Sequence, residues 1–152
     1  MYKHILLPVD GSRMSERAAR HGIELARALS ATITVVTVTV PWESHFSREV
    51  AVVVPDVIIP RNEYDRKVEA AARSIMRCVT DVAKAASVAA KAVHLSHTHP
   101  YLAIIDAAAA EGCDLIVMAS HGRRGISGFL LGSETVKLLT HSKTPVLVYR
   151  DR

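Results

Sequence analysis

The chain has 152 residues and a formal net charge of +4, with 49% apolar and 22% charged residues, which excludes a disordered segment and suits one compact domain over residues 1–152. Aromatics are only 5%, so a core has to be built from Val, Ile, Leu and Ala. The basic residues are scattered, with short clusters such as Arg123-Arg124 and no stacking aromatics between them, which argues against a nucleic-acid surface and equally suits a small polyanion such as a nucleotide.

The first expected element is a strand over 4–9, with Pro8 near its end or at a bulge because proline cannot donate to a ladder. Asp10 ends this apolar stretch too early for a signal peptide. A helix follows from Ser15 to Leu29, its apolar stripe made by Ala19, Gly22, Ile23, Ala26 and Leu29. Residues 32–40, almost continuous Val, Ile and Thr, give a second strand. Segment 41–60 carries three prolines and Trp42 and reads as a loop or partly ordered lid. A long helix is expected over 61–87, a third strand over 91–96, a helix over 100–111 with proline at its start, a fourth strand over 114–119, a helix over 133–141 and a last strand over 145–149. Strands this apolar are covered on both faces, so the alternation predicts a layered α/β fold with a parallel sheet. The apolar runs fall well short of the ~18 residues of a membrane span, and two cysteines outside any CxxC pattern give neither a disulfide scaffold nor a thiolate metal site. A cytoplasmic protein is expected.

Four of the seven glycines fall between Gly122 and Gly132, after a strong strand and before a helix that begins at Ser133. Such a loop lets the backbone approach a phosphate, and helix N–H groups face the anion; a surface loop with a glycine cap also fits. The loop is neither a P-loop nor GxGxxG. Asp10-Gly11-Ser12 ends the first strand, where the carboxylate can accept from an adenine amino group or a ribose hydroxyl, or can serve as a turn and helix cap. His94, His97 and His99 crowd the third strand's end without a clear third ligand, so no metal is assigned to protein side chains alone.

From end to end, the chain resembles the universal stress proteins. The opening 3–12 (KHILLPVDGS), the block 114–122 (DLIVMASHG) and the closing 144–149 (TPVLVY) carry the likeness. The family's nucleotide-binding branch has a glycine, two residues, a glycine, nine residues, and a glycine followed by Ser or Thr. Gly122, Gly132 and Ser133 fit, and Ala119 stands where the first glycine would. A negative φ at Ala119 would make the extra methyl tolerable, whereas a positive φ or direct ligand contact would close the site.

The resemblance implies a three-layer α/β/α fold, Rossmann-like and similar to the adenine nucleotide alpha hydrolases, with an open parallel five-stranded sheet of order 3-2-1-4-5. It implies a homodimer through strand five (145–149). It also implies a nucleotide site made by Pro8, Val9, Asp10, Val38, Met118, Ala119, Gly122, Arg123, Arg124, Gly132, Ser133 and Glu134. The ligand would be ATP, with AMP or ADP as alternatives, and Mg²⁺ could bridge the phosphates with help from Ser133. Arg123 and Arg124 would add charge or form a solvated loop face. Glu134 would suit the helix dipole. The expected role is a stress-response regulator or sensor with at most slow ATP hydrolysis, since the loop has no lysine and no second carboxylate is aimed at a γ-phosphate. Ligand binding would favour one conformation of segment 41–60, which an unidentified protein partner could read. A dimeric interaction module that binds no nucleotide is the alternative.

Overall fold

A computed structural model describes residues 1–45, 59–122 and 131–151, His45 by its backbone only. In chain order the elements are β1 (His4–Pro8), α1 (Arg13–Leu29), β2 (Thr32–Thr39), a short α2 (Trp42–His45), α3 (Arg61–Ala85), β3 (Ala90–Ser96), α4 (Pro100–Ala110), β4 (Leu115–Ala119), α5 (Ser133–His141) and β5 (Val146–Tyr149). The five strands form one sheet of order β3-β2-β1-β4-β5, and every pairing is parallel.

Period-two alternation along strands that are apolar on both faces builds two cores. Ile5, Leu7, Ile33, Val35, Leu115 and Val117 point to one face, where they meet Ile23 and Ala26 of α1 and Met76 and Val79 of α3. Leu6, Val36, Ile116 and Met118 point to the other, against Ile104 and Ala108 of α4 and Leu138 of α5. Gly22 lets α1 settle against the sheet, since a Cβ there would lie 2.5 Å from Leu7 Cδ2. Among the described residues no helix is long and apolar enough to cross a membrane.

The boundaries differ from the sequence reading where single backbone groups decide them. Helix α1 starts two residues early because Ser12 caps it, its Oγ accepting the Ser15 N–H at 3.2 Å. Helix α3 stops at Ala85, and Ser87 adopts the left-handed region at φ 59°. Asp114 precedes β4 instead of opening it: its carboxylate accepts the Lys3 and His4 N–H groups at 2.8 and 3.0 Å, tying the start of β1 to the start of β4. Burial alone would raise this carboxyl's pKa, but the His4 and Lys3 N–H groups outweigh it and hold it below the usual value. At the start of segment 41–60 the chain makes the α2 turn rather than a loop, and the Trp42 indole N–H donates to the Ile59 carbonyl at 2.7 Å. Residues 46–58 of that segment, expected to be a loop or lid, lie outside the described residues.

Candidate functional site

The strand order fixes where a ligand can enter. From β1 the chain builds outward through β2 to β3, then returns on the other side of β1 to lay down β4 and β5. The carboxyl ends of β1 and β4 therefore flank the point where the winding reverses, the usual crevice of an open α/β sheet. Pro8 widens it. The Lys3 carbonyl accepts from β2 while the His4 carbonyl accepts from Asp114 beside β4, so odd-numbered backbone groups of β1 face β2 and even-numbered ones face β4. Pro8 thus lacks its N–H on the β4 side. Pairing of β1 with β2 continues to Pro8↔Val36, whereas its register with β4 spans Ile5↔Leu115 and Leu6↔Ile116.

The first wall of the crevice is the β1–α1 turn. Val9 is buried, donates to the Val36 carbonyl at 2.9 Å and accepts from Thr37 Oγ1 at 3.0 Å. Gly11 makes the turn at φ 78°, a conformation that favours glycine. Asp10 Oδ1 accepts the Ser12 N–H at 3.0 Å, and the Asp10 N–H donates to Ser15 Oγ at 3.3 Å. The turn role read from the sequence is therefore present. Asp10 also reaches the second wall, because a Cβ on Gly122 would collide with its Oδ2. Val38 lies on β2 two positions past the partner of Pro8, half-buried beside Leu95 of β3.

The second wall joins β4 to α5. Met118 and Ala119 are buried. The Ser120 N–H donates to the Tyr149 carbonyl at 2.8 Å, and the Ser120 carbonyl accepts the Gly132 N–H at 2.8 Å. Thr135 Oγ1 lies 3.1 Å from the Ala119 carbonyl oxygen and 3.2 Å from that of Ser120. A Cβ on Gly132 would sit 3.2 Å from His121 Cα and 3.3 Å from the Ser120 oxygen. Among the described residues, the glycines with positive φ are Gly11 and Gly112, and the non-glycines are Ser30 and Ser87. Gly122 and Gly132 thus have close neighbours, the Asp10 carboxylate and the 120–121 backbone respectively, and Ala119 does not occupy a conformation that asks for glycine.

Gly132 is the N-cap of α5 and supplies no side-chain acceptor, so the first-turn N–H groups beginning at Ser133 form an electropositive rim beside Gly122 and Asp10. The carboxylate of Glu134 is engaged elsewhere: Oε2 accepts the Tyr101 N–H at 2.9 Å and Oε1 pairs with Lys137 Nζ at 3.1 Å. Arg123 and Arg124 lie outside the described residues. His94, His97 and His99 find partners at the end of β3. His94 Nε2 lies 2.8 Å from Thr39 Oγ1, the His97 and His99 rings are 6.1 Å apart, and the His99 N–H donates to His97 Nδ1. Among the described residues no three His, Cys, Asp or Glu side chains group to hold a metal. Sequence reading missed Ser120 and Thr135. The visible signal was a hydroxyl residue two positions after Ser133, at the third helical position, which by itself reads as a helix-start preference.

Comparison with known proteins agrees with this architecture. Residues 1–150 match the model of the universal stress protein family. A universal stress protein of Thermus aquaticus is 31% identical over 150 residues, covering 99% of this chain and all of its own. Universal stress protein MJ0577 of Methanocaldococcus jannaschii has a solved structure that is 28% identical and superposes with a TM-score of 0.79, covering 100% of this chain and 98% of that one. A universal stress protein solved in complex with cAMP is 25% identical, with a TM-score of 0.69 and coverage of 98% and 97%.

Proposed function

The chain belongs to the universal stress protein family, and from that premise we propose that it binds an adenine nucleotide, ATP in the first instance, in the crevice between the carboxyl ends of β1 and β4. The observation that carries this reading is the meeting of Asp10 with Gly122 beside the α5 N-terminus, whose N-cap Gly132 leaves the first turn uncapped by any side chain. In this reading Asp10 accepts from the adenine or ribose, with Val38 and Met118, on the α4–α5 face of the sheet, as the apolar bed and Val9 contributing its backbone at the strand end. Gly122 and Gly132 admit the phosphates, and the N–H groups of Ser133 and Glu134 face them. Ser133 would help to hold a Mg²⁺ ion, which would supply countercharge to the phosphates. Arg123 and Arg124, between Gly122 and Gly132 in the sequence, would add charge. The relative solved with cAMP supports an adenine nucleotide as the ligand class.

The protein is read as a stress-response sensor or regulator rather than a dedicated catalyst. The site brings an anion rim and one carboxylate, Asp10, already engaged in its own turn, and binding needs no more than that. A cytoplasmic setting fits two free thiols, Cys78 and Cys113. A homodimer through β5 completes the reading, with a partner protein recognising the liganded state.

Calorimetric titration with ATP and Mg²⁺ tests the site, comparing the unsubstituted chain with Gly132→Val. One nucleotide per chain, lost in the variant while its circular dichroism spectrum is kept, is the expected result. No heat from the unsubstituted chain with ATP, ADP, AMP or cAMP would overturn the reading in favour of an interaction module.

A further inference from the structure

We infer that Thr135 is the positioning residue of this site: its buried hydroxyl holds the end of β4 against the first turn of α5 and so sets the gap between Gly122 and Gly132. Thr135 is 2% exposed, a burial that a hydroxyl tolerates only with a partner. It has two, the carbonyl oxygens of Ala119 and Ser120 at 3.1 and 3.2 Å, which share its single proton. The Ser120 carbonyl also accepts the Gly132 N–H at 2.8 Å. Three contacts on two consecutive carbonyls thus join a strand end to a helix start that the chain itself connects only through residues 123–130. The carbonyls at the end of β4 would otherwise present negative dipoles beside the rim proposed to receive phosphates. The hydroxyl and the Gly132 N–H take up those carbonyls and leave the following N–H groups to a ligand. Thr135 needs no contact with the nucleotide to do this.

The inference rests on the nucleotide reading above, and its test separates the two. Thr135→Val keeps the shape and removes the hydroxyl; Thr135→Ser keeps the hydroxyl. For each variant and the unsubstituted chain we would measure amide hydrogen exchange at Gly132, ATP affinity by calorimetry, and thermal unfolding. The expected result is that Gly132 exchange in the valine variant speeds on the order of tenfold beyond the change at β2 amides, which report global opening. ATP affinity falls by a similar factor, and the serine variant restores both. Equal ATP affinity in the valine variant and the unsubstituted chain, with Gly132 exchange merely following global stability, would reduce Thr135 to a packing residue and overturn the inference. Failure of the unsubstituted chain to bind any adenine nucleotide would overturn the nucleotide reading and this inference together.

Discussion

Gly122 and Ala119 sit three positions apart in one motif, yet their surroundings ask opposite things of a side chain. At Gly122 a Cβ would run into the Asp10 carboxylate; Gly122→Ala therefore pushes Asp10 out of its turn. ATP affinity should fall at least tenfold by calorimetry while the unfolding midpoint in urea changes little, since Gly122 is exposed. At Ala119 the methyl is already accommodated: the residue is 6% exposed, pairs with Tyr149 in the ladder and avoids positive φ. Alternation puts its side chain on the α1 face with Val117. Ala119→Gly should lower stability by about 1 kcal/mol through the lost methyl and the freer unfolded backbone and leave ATP affinity within about twofold. A tenfold gain in affinity would show that the methyl does reach the ligand. Asp114 supplies a third residue-scale test, away from the site. Its folded pKa is lowered, so its stabilising effect is complete above the ordinary carboxylate range near ~4 and is lost as pH falls through the lower folded value. Asp114→Asn should accordingly destabilise the chain at about pH 7, and the gap between variant and unsubstituted protein in urea unfolding should narrow towards pH 3.

At the level of elements, Pro8 ends the hydrogen-bonded pairing of β1 with β4. Its missing N–H faces β4, and the β1–β4 register spans Ile5↔Leu115 and Leu6↔Ile116. Pro8→Val restores a donor there. One added ladder bond contributes about 1 kcal/mol, offset in part by the greater freedom of the unfolded chain, so overall stability should stay within about 1 kcal/mol. Nucleotide affinity should drop several-fold as the crevice narrows, and an unchanged affinity would show that the opening does not depend on proline. The elements themselves were legible because a parallel sheet buried on both faces demands long β-branched runs such as 32–40, and α1 must show a 3.6-residue stripe. Boundaries were less so. Ser12 rather than Ser15 begins the α1 cap, and Ser87 ends α3 through a left-handed φ; a serine in a sequence does not announce either role. The glycines and Asp10 could be read as a candidate site since glycine and a strand-end carboxylate have few uses in such a place. The grip of Thr135 on Ser120 could not, nor the side on which Pro8 lacks its donor, because both depend on which backbone groups face which neighbour.

For the molecule as a whole, the open question is what meets β5, which ends the sheet. Its inner side is settled: the Tyr149 carbonyl accepts from Ser120 and the Pro145 carbonyl from Ile116, so odd-numbered backbone groups face β4. Those of Val146 and Val148 therefore face outward along the sheet edge. An apolar edge of this kind invites pairing with another chain, and the exposed Val136 and Leu139, at 46% and 43%, form one stripe on the preceding helix α5. These features fit the homodimer proposed above, built strand to strand. Val148→Pro is the discriminating substitution: it removes one outward N–H, leaves the β4 ladder untouched, and proline is tolerated on an edge strand. Sedimentation equilibrium should show the unsubstituted chain as a dimer and the variant dissociating at concentrations about a hundredfold higher. Nucleotide affinity should persist in the resulting monomer, because Asp10, Gly122, Gly132 and Thr135 all belong to one chain. A variant that stays dimeric would move the contact away from the β5 edge, and the α5 stripe would then be tested with Leu139→Glu.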